Sequence, residues 1–78
     1  MAKLPRVSGQ LARQAFERAE WVHRRTRGDH MQLTMPGKRT LVVPDYSELP
    51  VFILRGLLRT AGLTAEEFLD FFFNFVAS

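Results

Sequence analysis

The chemistry that this sequence could perform depends on few residues, of which His30 is the best placed. The chain has two histidines and no cysteine, so disulfides, thiolate nucleophiles and thiolate metal sites are excluded. An imidazole can act as a base or an acid close to neutral pH. His30 follows the turn residues Gly28 and Asp29, whereas no motif surrounds His23. On spacing alone, His30 is more simply interpreted as an exposed strand residue without a role.

Basic residues lie close to His30 along the chain. Arg25 and Arg27 precede it, and Lys38 and Arg39 follow the next turn. The first 40 residues carry nine Lys and Arg against three acids, which suits a polyanion such as nucleic acid, although cations that only solvate a small surface give the same composition. We hypothesise that His30 exchanges a proton in RNA cleavage while these cations bind the phosphate backbone. The sequence assigns no residue to the second proton transfer, for which water or Tyr46 are candidates.

No metal or cofactor site is predicted, because two histidines seven residues apart among scattered acids match no usual ligand spacing. The 78 residues make one domain, spanning 1–78. A chain of this size buries only about 60% of its unfolded surface. We therefore expect any chemistry to lie on an open surface.

A cytoplasmic location without membrane contact is expected. The longest apolar-rich run, residues 68–77, is shorter than the ~20 residues that span a membrane. The first residues contain no apolar stretch of signal-peptide length.

Local patterns predict one helix, three strands and two further helices. The predicted segments are helix 9–19, strands 21–26, 30–35 and 38–43, a helix that starts at Pro50 and stops at Gly62, and a last helix over 65–76. Ser8 can cap the first helix. Thr64 and Glu67 have the spacing of a capping box at the start of the last helix.

The alternation over 30–35 is typical of a strand with one buried face. Its inward residues are Met31, Leu33 and Met35. Its outward residues are His30, Gln32 and Thr34. Short connections favour an antiparallel meander, and the helices must cover one face of such a sheet. The sequence therefore predicts an α+β domain whose open sheet face carries His30.

Two aromatic features have alternative interpretations. Trp21 could stack on a base of single-stranded RNA, although core packing is the simpler interpretation. The last helix holds five of the seven phenylalanines. Its packing face is formed by Phe68, Leu69, Phe72, Phe75 and Val76. Phe71 and Phe73 lie off this face, so we expect them to contact a partner protein or a second copy of the chain.

Four segments resemble a known family, the HicA-type toxins. Residues 4–9 read LPRVSG, which is similar to a common opening of that family. Residues 25–30, RTRGDH, resemble the segment that carries its histidine, and residues 41–44, LVVP, resemble its third strand. Residues 54–68, LRGLLRTAGLTAEEF, are similar to its final segment. Together the resemblance covers residues 3–70 in order.

The resemblance implies a fold like that of a double-stranded-RNA-binding domain. It implies a metal-independent endoribonuclease that cleaves mRNA and arrests translation. It also implies a partner, a HicB-type antitoxin that covers the histidine region. The catalytic histidine of the family corresponds to His30, and the preceding glycine to Gly28.

The sequence departs from the family pattern beside the histidine. Asp29 replaces the usual serine, and Met31 and Tyr46 stand near positions where many relatives have a second histidine. An acid at Asp29 could stabilise a charged ring and repel a phosphate, or it could orient the imidazole. Two alternative functions therefore stay open: a non-catalytic RNA-binding module, and an interaction domain that acts through its Phe-rich last helix.

Overall fold

The computed structural model describes residues 3–73. The elements are α1 (Gly9–Arg18), β1 (Val22–Arg27), β2 (His30–Thr34), β3 (Leu41–Pro44), α2 (Val51–Ala61) and α3 (Ala65–Phe73). This order confirms the predicted α+β class and the predicted sequence of elements. The β3 strand starts at Leu41 rather than at Lys38, because the Lys38 amide donates to the Met35 carbonyl and closes a turn. The predicted last residues of α3, Phe75 and Val76, lie outside the described residues.

The three strands form an antiparallel sheet in the order β1-β2-β3. Met31 and Leu33 are buried and lie opposite Val43 and Leu41 of β3, which are also buried. These four side chains form the sheet's contribution to the core, as the alternating pattern predicts. Met35 lies beyond the end of β2 and is only half-buried.

Helix α1 begins at a side-chain cap and ends in a reversal that buries Trp21. The Ser8 hydroxyl oxygen accepts from the Leu11 amide at 3.1 Å, which confirms the predicted cap. Glu20 has a positive φ of 75°, and the Trp21 amide donates to the Phe16 carbonyl. Trp21 is consequently 2% exposed. Its role is core packing, and the alternative of stacking on a base is wrong because the ring cannot reach solvent.

Helix α3 packs on α1, and α2 packs on β3. A left-handed Gly62, with φ of 74°, ends α2. The predicted capping box then forms in both directions, since the Thr64 amide donates to the Glu67 carboxylate and the Glu67 amide donates to the Thr64 hydroxyl. Phe68 is fully buried, and the centroid of its ring lies 5.5 Å from the centroid of the Phe16 ring. The helices thus lie in a layer on one face of the sheet.

The start of α1 is held against the end of β3 by backbone alone. The Gly9 amide donates to the Tyr46 carbonyl at 2.8 Å. A β-carbon at Gly9 would overlap the carbonyl oxygen of Pro44, which is backbone and cannot rotate away. Only glycine therefore fits where α1 meets β3.

We predict that Gly9→Ala lowers the free energy of unfolding by about 1–3 kcal/mol, towards the upper end, because the overlap is with backbone. Gly56→Ala is the matched control. Gly56 lies in α2 with no atom near the position of an added β-carbon, so alanine should stabilise the helix by about 0.5–1 kcal/mol. Urea unfolding measures both changes. A Gly9→Ala protein as stable as wild type would contradict this account of the junction.

Candidate nucleic-acid interface

His30 stands on the open side of the sheet. Its side chain is 58% exposed, and it begins β2 directly after the turn at Gly28, whose φ is 61°. In the strand register it lies between Arg27 of β1 and Pro44 of β3. An imidazole in this position is accessible to a large substrate and has a guanidinium as its neighbour across the strand pair.

A bulge in β1 brings two more arginines to the same face. The register of β1 against β2 shifts between His23 and Arg25, which leaves Arg24 without a partner in the pairing. Arg24 Nε donates to Thr34 Oγ1 at 2.9 Å, and Arg25 Nε donates to Gln32 Oε1 at 3.2 Å. Thr34 and Gln32 alternate with the buried residues of β2, so both guanidinium groups lie on the open side with His30.

We call this surface the basic face. It comprises Arg24, Arg25, Arg27 and His30. All four residues are exposed. The hydrogen bonds of Arg24 and Arg25 use Nε, and within residues 3–73 the terminal nitrogens have no hydrogen-bond partner. Those nitrogens are the groups that bind phosphate oxygens. The basic face is therefore a row of fixed cations that ends at an imidazole.

The sequence places Arg24 among the clustered cations near His30 but does not indicate that it shares a face with Arg25. Strict alternation places Arg24 and Arg25 on opposite faces of a strand, and the bulge is what places them together. No residue near the bulge signals it, because Arg24 and its neighbours are ordinary strand residues.

Lys38 and Arg39 lie elsewhere. Both come before β3, whose first residue, Leu41, pairs with Leu33 near the end of β2. A strand advances about 3.3 Å per residue, so the Thr34 end of β2 is roughly 13 Å from His30. The Lys38 ammonium lies 2.9 Å from the position that a β-carbon of Gly62 would take. The structure thus places Lys38 at the carboxyl end of α2, where a cation is favourable, and does not bring this pair next to His30.

His23 and Tyr46 do not join the imidazole either. His23 pairs with the buried Leu33 and is half-buried, and its Nε2 lies 2.9 Å from Thr26 Oγ1. Tyr46 is exposed, and within residues 3–73 no hydrogen bond links its hydroxyl to His30. Among residues 3–73, Asp29 is therefore the one side chain that forms an ion pair with the ring, and the second proton transfer is assigned to no residue.

Asp29 and His30 form the closest pair of ionisable groups in the site. Asp29 Oδ1 lies 3.0 Å from His30 Nδ1, and the Asp29 side chain is 59% exposed. The Asp29 carbonyl accepts from the Asp45 amide at 2.7 Å. This backbone bond ties the β1–β2 turn to the segment that follows β3.

A shallow groove leads from His30 along the outer edge of β3 towards α2. It is lined by His30, Val42, Pro44, Phe52, Gly56 and Thr60, among others. Phe52 is 74% exposed. The open surface around the imidazole therefore continues from the basic face into this shallow, largely apolar groove.

The two off-face aromatics of α3 differ from each other. Phe73 is 60% exposed and packs edge-on against Phe72, in agreement with the expected exposure. Phe71 is half-buried against the core, and its carbonyl accepts from Arg18 Nη1 at 3.1 Å. Phe71 is thus less exposed than expected, and its contact with a partner stays a prediction.

Two negative findings apply to residues 3–73. No helix there is long and apolar enough to cross a membrane. No group of three histidine, aspartate or glutamate side chains in that part of the chain could hold a metal ion.

A family model described as the HicA toxin of bacterial toxin–antitoxin matches residues 12–63. This span is about two thirds of the chain and includes the whole sheet, all of α2 and seven of the ten residues of α1. The match defines the class of protein as the toxin component of a toxin–antitoxin system. Within that class, the chain belongs to the HicA toxin family. No curated protein matches the chain.

Proposed function

We propose that this protein is a metal-independent endoribonuclease that cleaves mRNA, with His30 as its catalytic residue. The observation that carries the proposal is the exposed His30 imidazole at the end of the row of arginines, in a chain of the HicA toxin family. Resemblance to that family, in which cleavage of mRNA arrests translation, supports the same activity here.

The chemistry is an attack of RNA on itself. The ribose 2′-oxygen bonds to the adjacent phosphorus, the bond from phosphorus to the 5′-oxygen breaks, and a cyclic phosphate results. A base must take the hydroxyl proton, and an acid must supply one to the leaving oxygen. The His30 imidazole can perform either transfer near neutral pH. With water in the other role, turnover is expected to be slow.

The basic face supplies the binding energy. Arg27 lies across the strand pair from His30 and is the cation best placed for the scissile phosphate. Arg24 and Arg25 extend the row for neighbouring phosphates. Contacts of this kind read the backbone and carry little sequence information. A single strand that lies across the open sheet would therefore be bound through its phosphates, without stacking on Trp21.

Membership of a toxin–antitoxin family implies an antitoxin partner. We propose that this partner is of the HicB type and that it neutralises the protein by covering His30 and the basic face. Phe73, which is largely exposed on α3, is a second candidate contact, either for the antitoxin or for another copy of the chain. Both assemblies fit a cytoplasmic protein that acts on mRNA.

One observation favours a different function, that of a non-catalytic RNA-binding module. The Asp29 carboxylate lies 3.0 Å from His30 and places a negative charge where a phosphate would approach. In this alternative, the basic face binds RNA and the imidazole transfers no proton. The interaction-domain alternative has less support, because only Phe73 of the two predicted contact residues is exposed.

We predict that purified protein cuts unstructured RNA in the presence of a chelator and that His30→Ala lowers the cleavage rate about 100-fold or more, the usual contribution of general acid–base catalysis. His23→Ala is the matched control, since His23 lies off the basic face. Gel analysis of end-labelled RNA gives both rates. Equal cleavage by His30→Ala and wild type would remove His30 from the mechanism, and RNA binding without cleavage would favour the non-catalytic module.

We also predict that RNA binding weakens steeply as salt rises. Arg27→Ala should lower the slope of log K against log salt by about 0.7, the value for one lost phosphate contact on a single strand. Lys38→Ala removes the same charge at the far end of the sheet and should leave the slope close to that of wild type. Fluorescence anisotropy over a salt series gives the slopes. Equal slopes for wild type and Arg27→Ala would show that Arg27 contacts no phosphate.

A further inference from the structure

The contact between Asp29 and His30 specifies where the proton of the imidazole sits. Asp29 Oδ1 lies 3.0 Å from His30 Nδ1. An ionised carboxylate has no proton to donate and repels a nitrogen lone pair, so a carboxylate oxygen at this distance favours a proton on Nδ1. In the neutral ring, Nε2 then carries the lone pair. A histidine without a partner prefers the opposite tautomer, in which Nε2 carries the proton.

Both residues are held in place through their backbones. Gly28, with φ of 61°, and Asp29 form a two-residue connection between Arg27 and His30, which pair in the register. The Asp29 carbonyl accepts from the Asp45 amide at 2.7 Å. His30 pairs on its other side with Pro44. Strand pairing therefore holds both ends of the turn that carries the Asp29 carboxylate, and the Asp45 amide holds it from the side.

We infer that Asp29 is a positioning residue that holds His30 in the tautomer with a free Nε2, ready to accept the 2′-hydroxyl proton. The inference rests on the proposed function, since it concerns the base of that reaction. It assigns His30 the role of base rather than acid. It also gives a function to the residue that departs from the family's usual serine.

The same carboxylate has an opposing effect on substrate binding. Its charge repels a phosphate that approaches the ring, and Arg27 on the neighbouring strand offsets part of this repulsion. Asp29 therefore raises kcat through the tautomer and raises KM through its charge. A residue with a purely structural role would change neither parameter in this divided way.

The decisive measurement is the tautomer itself, which does not depend on activity. Nitrogen-15 chemical shifts of the two ring nitrogens are recorded at alkaline pH, where imidazoles are neutral, and His30→Ala identifies the signals. We expect wild-type His30 to be protonated at Nδ1 and Asp29→Ala to shift the ring towards protonation at Nε2. A wild-type ring that is protonated mainly at Nε2, as in Asp29→Ala, would overturn the inference.

Kinetics with three variants separate the tautomer from the charge. Asp29→Ala should lower kcat about fivefold, the effect of losing one solvent-exposed ion-pair contact of at most about 1 kcal/mol, and should lower KM. Asp29→Asn removes the charge and can present either its oxygen or its NH2 group to Nδ1, so KM should fall while kcat lies between those of wild type and Asp29→Ala. Asp45→Ala removes a nearby exposed carboxylate but keeps the Asp45 amide that holds the turn, and should leave kcat unchanged.

The outcomes distinguish the inference from the proposed function. A wild-type protein that cuts no RNA but shows the Nδ1-protonated ring would refute the ribonuclease proposal and leave the contact between Asp29 and His30 confirmed. An active protein whose kcat is the same with Asp29→Ala would refute the positioning role and leave the ribonuclease proposal intact.

Discussion

The contact between Gly9 and Pro44 is the constraint on which the arrangement of the site depends. Because nothing larger than a hydrogen fits between them, the start of α1 lies directly against the end of β3. The Gly9 amide there donates to the Tyr46 carbonyl. Pro44 is also the strand partner of His30, and the next residue, Asp45, holds the turn at Asp29. One junction of backbone atoms thus fixes the first helix, the edge strand and the turn that carries the imidazole.

The second property of the structure is its one-sided layering. All three described helices lie on one face of a three-stranded sheet, so nothing in residues 3–73 covers the other face. On such a surface, charges are screened and single hydrogen bonds contribute little. For the proposed RNA cleavage, affinity would have to come from several phosphate contacts, and catalysis from the placement of one imidazole between a cation and a carboxylate. The balance between Arg27 and Asp29 around His30 is therefore the feature on which the proposed activity depends most.

The sequence alone determined the features that depend on residues a few positions apart. Ser8 and the pair Thr64 and Glu67 cap their helices as predicted, because a cap involves one turn of chain. The alternation in β2 correctly placed Met31 and Leu33 in the core and His30 outside, because a strand has only two faces. The α+β class followed from the same local patterns, and the family was indicated separately by the resemblance of four segments, taken in order along the chain.

Only the tertiary structure decided which residues meet across distant segments. The bulge in β1 places Arg24 on the basic face. Lys38 lies beside Gly62 at the end of α2, away from that face. Packing against the core leaves Phe71 half-buried. No local pattern predicts these three positions. The register of a strand and the cover that a helix provides both depend on side chains that are far away in the sequence. The contact of Asp29 with His30 depends on both the sequence and the tertiary structure. The two residues are neighbours in the chain, and the turn held by the Asp45 amide places the carboxylate beside the ring.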